Sequence, residues 1–167
     1  RRREVNLSFT SVEQTFRADC RAWLEANVPA TPLPSHNTRE GFAQHVAWEK
    51  VLFDAGWAVV SWPEIYGGQG ASLVEWLIFE EEYYRAGAPA RVTQNGIFLL
   101  APTLFEFGSQ EQKDRLLGPM AAADVLWAQA WSEPEAGSDL ANVRSRAERV
   151  EGGWRLTGQK TWCSRGA

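Results

Sequence analysis

The sequence predicts an α+β fold: an all-α helical bundle at the N-terminus, followed by the first strands of a β-barrel-like domain. Two observations carry this. Up to about residue 122, apolar residues recur at helical spacing behind repeated capping-box signatures. After Asp124 the period changes, and Glu151-Gly152-Gly153 sits as a hairpin turn between loosely alternating segments. The expected division is therefore 1–124 for the helical domain and 125–167 for an incomplete β domain.

Each element has its own signature. The first ten residues read as an arm. Ser11 with Gln14 suggests a capping box, and Val12, Phe16, Cys20, Trp23 and Leu24 continue a helix that Pro29 stops near Val28. Residues 29–37, with three prolines, read as a connector. A second helix is expected from Thr38 to Ala55, with Phe42, Val46, Leu52 and Phe53 on one face and Gly56 beyond its end. The stretch from Trp57 through Trp62-Pro63-Glu64 to Gly67-Gly68-Gln69-Gly70 is too rich in glycine and proline for a helix.

Ser72 with Glu75 opens a third helix running to Ala86. Its inner side is expected at Leu73, Trp76, Leu77 and Phe79 or Glu80, with Glu80-Glu81-Glu82 as a solvated face. A fourth helix is expected between Asn95 and Phe107, bent near Pro102. Ser109 with Gln112 starts a fifth, from Gln110 to Ala122. Short loops between helices indicate a bundle. Val125–Ser132, Val143–Val150, Trp154–Leu156 and Thr161-Trp162 read as strand. Three or four strands do not close a barrel. The start at Arg1-Arg2-Arg3 without Met, and the stop just after a patterned segment, lead us to expect a longer protein.

Composition narrows the function class. Of the 167 residues, 44% are hydrophobic and 23% charged, and mean hydropathy is -0.35, which suits a folded globular domain. A formal charge of -4 and a pI near 5.3 argue against a nucleic-acid footprint. No apolar run has the length of a membrane span. Two cysteines, Cys20 and Cys163, are too few for a disulfide scaffold, so a cytoplasmic location is expected. Nine tryptophans call for a core or a partner surface. Arg144, Arg146, Arg149, Arg155, Lys160 and Arg165 read as solvent-facing strand positions. His36 and His45 have no metal-ligand spacing with either cysteine, so no metal is expected.

Two stretches carry possible chemistry. In Trp131-Ser132-Glu133-Pro134-Glu135-Ala136-Gly137-Ser138-Asp139, hydroxyls and backbone amides lie in one turn. Such a turn either converges on a polar ring edge or pyrophosphate, or is a surface loop; spacing leaves both open. In Trp162-Cys163-Ser164, strand alternation would place Trp162 and Ser164 on one face, as an aromatic platform beside a hydroxyl or as a core residue beside an end cap.

At these residues the chain resembles the acyl-CoA dehydrogenase family. The helical part does so through Ala55-Gly56-Trp57, Trp62-Pro63-Glu64, Tyr66-Gly67-Gly68-Gln69-Gly70, Glu80-Glu81 and Phe107-Gly108-Ser109-Gln110-Glu111-Gln112-Lys113. The β part does so through Ser132-Glu133-Pro134, Ala136-Gly137-Ser138-Asp139, Thr157-Gly158-Gln159-Lys160 and Trp162. The resemblance implies FAD as cofactor, an acyl-CoA substrate and α,β-dehydrogenation. It implies that Trp131 and Ser132 meet the flavin's pyrimidine edge and that Ser138 binds the FAD pyrophosphate and lies near substrate. Trp162 would then pack on the ring and Ser164 hydrogen-bond near the ring nitrogen that accepts hydride. Asn95 and Leu99, in the fourth helix, are candidates for the substrate pocket. The family's base, a glutamate in a C-terminal helical domain, is expected beyond residue 167, so none of Glu133, Glu135 or Asp139 is assigned to catalysis and the segment alone is expected to be inactive, with weak or no flavin retention. An electron-transfer flavoprotein as acceptor, a role in fatty acid or lipid metabolism and a homo- or hetero-oligomer are further implications. Arg165 stands where an asparagine is common in the family. The rival readings are a same-fold acyl-CoA oxidase or flavin monooxygenase, and a non-catalytic partner subunit of a mixed oligomer.

Overall fold

The computed structural model describes residues 8–164 and 166. The first seven residues of the expected arm, and Arg165, lie outside the described residues. One compact unit runs to Val125 and is helical; a second starts at Leu126 and holds a two-stranded antiparallel hairpin. The fold is α+β. No helix among the described residues is long and apolar enough to cross a membrane.

Helix α1 (Ser11–Asn27) starts on a different cap from the one expected. Thr10 Oγ1 accepts from the Glu13 amide at 3.2 Å, and the Glu13 carboxylate accepts from the Thr10 amide at 2.6 Å. Gln14 instead donates to the Phe9 carbonyl. A carboxylate makes the stronger, charge-assisted bond to the N-cap amide, so the box closes one residue earlier.

Helix α2 (Arg39–Asp54) is capped by Thr38. Its buried line is Gly41, His45, Trp48, Glu49 and Leu52. Of the expected face only Leu52 is fully buried, while Phe42, Val46 and Phe53 are half-buried. The line keeps helical spacing, but two of its members are polar, which hides it from a hydrophobicity pattern.

Helix α3 (Leu73–Arg85) keeps its expected Ser72–Glu75 capping box. Its inner face is Ile78, Phe79, Glu82 and Tyr83; Leu73 and Leu77 are exposed. Glu82 is thus buried rather than solvated. It accepts from Arg17 Nη1 at 2.8 Å, Arg21 Nε at 2.9 Å and Arg85 Nη2 at 2.8 Å, tying α1 to α3. Hydrogen bonds from Arg21, then Arg17, hold its carboxyl at about 2.

The connection from α3 is anchored by a buried ion pair. Glu49 accepts from Arg91 Nε at 2.7 Å, from the Val92 amide at 2.7 Å and from the Thr93 amide at 3.3 Å. Arg91 Nη2 also donates to the Ala58 carbonyl at 2.8 Å. Beside it, the Trp48 indole donates to the Tyr83 hydroxyl, which donates to the Pro89 carbonyl, both at 2.6 Å. Around these bonds Trp23, Trp48, Trp57, Phe79 and Tyr83 form a run of ring contacts with centroids 5.5–6.2 Å apart. Burying each such side chain contributes on the order of 1.5–3 kcal/mol.

The expected fourth helix is two pieces. Asn95–Leu100 is a π-helical turn, and α4 (Ala101–Phe107) follows. Pro102 has no N–H to bond the Phe98 carbonyl, and the ladder widens just before it: the Ala101 amide reaches Gly96 O, five residues back. Helix α5 (Gln110–Ala121) has the expected Ser109–Gln112 box. In the turn before α3, a Cβ on Gly68 would meet the Trp62 carbonyl oxygen at 2.0 Å, so only glycine fits there.

In the second unit, β1 (Arg146–Val150) pairs with β2 (Gly153–Thr157), with Arg146 opposite Thr157 and Val150 opposite Gly153. Gly152 takes a positive φ in the turn. Val125–Ser132 and Thr161-Trp162 are not strands, contrary to expectation. Neither segment has a neighbouring ladder among the described residues to pair with, and β propensity alone does not make a strand.

Two outcomes follow for stability. Replacing Glu49 by Ala strands the Arg91 charge and is expected to lower unfolding free energy by about 3–5 kcal/mol in urea titrations. Because Glu82 is held below its ordinary 4.5, its contribution is complete above that pH and is lost as pH falls toward 2. Glu82→Gln is expected to flatten the acid limb of the stability–pH curve measured over that window.

Candidate functional site

Two places in the structure have the makings of a site, one in each unit. In the helical unit, α3, the π-helical turn and the Ala58–Pro63 segment enclose a cavity of about 570 Å³. Its walls are aromatic. Trp62 meets Phe105 edge-on at 5.2 Å between centroids, and Trp76 meets Phe98 at 6.2 Å. Glu80 and Arg91 supply the charged groups of the lining. Burial pushes the Glu80 carboxyl above its ordinary range, against the opposing pull of the Arg91 charge and a hydrogen bond from Trp76. The π-turn contributes Ile97 and Phe98 to the wall. Asn95 is half-buried on the same turn and Leu99 is 50% exposed; neither lines the cavity. Cys20, nearby in sequence to the arginine pair, is no nucleophile: burial pushes its thiol up to about 12.

In the second unit, two stretches far apart in sequence are stitched together. The Thr161 amide donates to the Ser132 carbonyl at 2.9 Å, and the Gln129 amide to the Ser164 carbonyl at 3.3 Å. Lys160 Nζ adds bonds to the Trp131 carbonyl at 3.1 Å and to Glu133 Oε1 at 2.9 Å. Glu133 organises the loop. Its own backbone pairs with Ala136 across Pro134-Glu135, and its carboxylate accepts from the Arg144 amide at 2.6 Å and the Ser145 amide at 2.9 Å. Hydrogen bonds from Ser145, the Arg144 amide and Lys160 hold that carboxyl at about 2. A group so acidic is a structural tie, not a base poised for neutral pH.

Trp131, Ser132, Trp162 and Ser164 are therefore brought onto one hydrogen-bonded strip. Ser138 lies farther along the same loop, in the exposed stretch before the 3-10 turn Leu140–Asn142. Trp162 does not alternate with Ser164 along a strand. It has φ +53, and the Ser164 amide donates back to the Trp162 carbonyl at 2.9 Å in a tight turn. A left-handed non-glycine residue costs about 1–3 kcal/mol and is characteristic of ligand-facing positions.

The strip suits a flat polar ring. Trp131 and Trp162 are 62% and 89% exposed, while in the helical unit Trp48, Trp57 and Trp62 are buried. The Thr161 hydroxyl and the Trp127 indole N–H are buried without a hydrogen-bond partner among the described residues. Exposed indoles beside turn amides form a surface on which a planar heteroaromatic group can pack. Sequence reasoning overlooked Lys160 and Glu133 as the clasp of this strip, and Arg91 and Glu80 in the cavity. Arg91 did leave a signal, as the one charged residue between Ala86 and Phe105.

The chain has relatives among known proteins over most of its length. The family model of the acyl-CoA dehydrogenase N-terminal domain matches residues 10–124. Acyl-CoA dehydrogenase IpdE1 of Mycolicibacterium smegmatis is 39% identical over 90% of this chain and 43% of its own length. The mitochondrial isovaleryl-CoA dehydrogenase of Solanum tuberosum is 30% identical over 97% of this chain and 39% of its own. Among solved structures, the ChsE4-ChsE5 complex from Mycobacterium tuberculosis matches with a TM-score of 0.74 and 32% identity, over 95% of this chain and 40% of that one. The chain thus spans about two fifths of the length of the relatives it matches.

Glu133→Gln keeps the shape of the clasp but removes the charge that binds Lys160 and two backbone amides. Amide hydrogen exchange at Arg144, Ser145 and Thr161 is expected to speed up by at least tenfold in this variant, while exchange in α2 and α3 stays unchanged.

Proposed function

This chain belongs to the acyl-CoA dehydrogenase family, and from that premise we propose that it forms the helical domain and flavin-facing edge of a FAD-dependent enzyme that introduces an α,β double bond into an acyl-CoA thioester. One observation carries the reading: the clasp that joins Gln129–Glu133 to Lys160–Ser164 and leaves the indoles of Trp131 and Trp162 uncovered on it.

On this reading Trp131 and Ser132 would hold the flavin's pyrimidine edge, Trp162 would pack on the ring, Ser164 would hydrogen-bond near the ring nitrogen and Ser138 would bind the pyrophosphate. FAD, when bound, supplies the acceptor for the hydride leaving the β carbon. The chain's own work is to hold and orient. Amides and hydroxyls aimed at the ring edge favour the electron-rich form. Glu133 is committed to the clasp and is not the base that would take the α proton. An electron-transfer flavoprotein would serve as electron acceptor, in the cytoplasm. A second reading, a non-catalytic partner in a mixed oligomer, is favoured by the likeness to a structure solved as a two-component complex.

The test is to purify the gene's full product and look for a yellow flavin that bleaches on addition of acyl-CoA thioesters. Trp162→Ala is expected to weaken FAD binding about tenfold or more by flavin-fluorescence titration. A colourless product that binds no FAD would sink the cofactor assignment, and a flavoprotein that no thioester bleaches would favour the partner reading.

A further inference from the structure

Of the chain's two histidines, His45 is the buried one, on the inner line of α2. Its Nδ1 lies 2.7 Å from the Ala90 carbonyl oxygen and its Nε2 3.1 Å from the Pro34 carbonyl oxygen. A carbonyl oxygen only accepts. Both contacts are therefore hydrogen bonds only when both ring nitrogens carry a proton, as in the imidazolium. A neutral ring donates once and turns a lone pair on the other oxygen. The connector before α2 is pressed onto the helix at the same place: a Cβ on Gly41, one turn before His45, would run into the Ser35 carbonyl. The bond from His45 to Pro34 thus secures a close approach of two backbones.

We propose that His45 is a pH-operated latch: as the imidazolium it ties the 29–37 connector to α2 and to the 87–90 loop, and loss of one proton frees the connector. Geometry chooses the bond that is lost. The contact to Ala90 is the shorter, so the neutral ring keeps its Nδ1–H there and leaves Nε2 bare against the Pro34 oxygen. The charged and titratable groups around the ring supply no spare counter-charge. From the connector, the His36 ring stands at 84° to it with centroids 5.5 Å apart. From α2, Glu49 stands one turn on, and Arg91 follows Ala90; these two are matched to each other. Residues 87–90 are Gly-Ala-Pro-Ala and carry no ionisable side chain. The charge on His45 therefore rests on its two carbonyl bonds, which are charge-assisted and of the strong kind. The sign follows from this: the latch is closed in the protonated form and opens as pH rises through the range of about 5 to 8 in which histidine changes charge.

The latch lies in the helical unit and needs no cofactor, so its failure and that of the flavin reading are separable. Amide hydrogen exchange of the gene's full product is followed by mass spectrometry between about pH 5.5 and 8.5, each rate being divided by that of the unstructured chain at the same pH. The informative amides are those of Asn37 and Thr38, which bond Ser35 beside Pro34. Their protection is expected to fall about tenfold across this range. The Ala88 amide, which donates to the Tyr83 carbonyl on the other side of the ring, is expected to keep its protection. His45→Gln, which takes up no proton, is expected to abolish the pH dependence, and His36→Asn to preserve it. Should His45→Gln not fold, wild type and His36→Asn decide the matter. Protection of Asn37 and Thr38 that is independent of pH, a fall at Ala88 in their place, a pH dependence that survives His45→Gln, or one that vanishes in His36→Asn would each overturn the latch.

Discussion

The helical unit is organised around one carboxylate. Glu49 sits fully buried in α2 and is matched by a guanidinium and two backbone amides. Such a group is costly to bury and costlier still to leave unpaired. It therefore dictates where the chain must go after α3. Residues 91–93 can take only the path that delivers Arg91 and the amides of Val92 and Thr93 to Glu49. That path aims the following residues at the π-helical turn, and the second arm of Arg91 fixes the Ala58 segment opposite. The cavity between them is a by-product of this single constraint.

The second unit uses the same device in a wetter setting. Glu133 also gathers two backbone amides and one cation, from residues eleven, twelve and twenty-seven positions away. Here the product is a clasp, not a core. It holds two irregular segments in register without a β ladder, and leaves indole rings facing outward. Irregular backbone fixed by a charged side chain is well suited to ligand contact, because its amides and hydroxyls are not consumed by a sheet. The two units thus treat tryptophan oppositely: one hides it behind hydrogen-bonded polar groups, the other presents it.

Glu82 adds a third variation. Three arginines surround it, two from α1 and one from its own helix. It fastens α1 to α3. The acidic run of α3 therefore divides by rotation. Glu80 turns toward the cavity, Glu81 stays in solvent and Glu82 faces α1.

Capping boxes, proline stops and the glycine turn are local, so the sequence alone determined the number, order and near-limits of the helices, the hairpin turn and the family's residue pattern. Even there, Thr10 with Glu13 is the cap where Ser11 with Gln14 was expected, because the carboxylate is the stronger partner. What local patterns do not contain is which face turns inward. His45, Glu49 and Glu82 are polar, and only the arrival of Pro34 and Ala90 carbonyls, Arg91 and the α1 arginines makes their burial tolerable. The same holds for the candidate site. Trp131, Ser132, Trp162 and Ser164 were legible as residue types, but their junction depends on Lys160 and Glu133, and Trp162 takes a turn conformation where alternation suggested a strand. Partners distant in the chain decided these points, since the free energy of a buried or clasped polar group is a property of the pair and not of either residue.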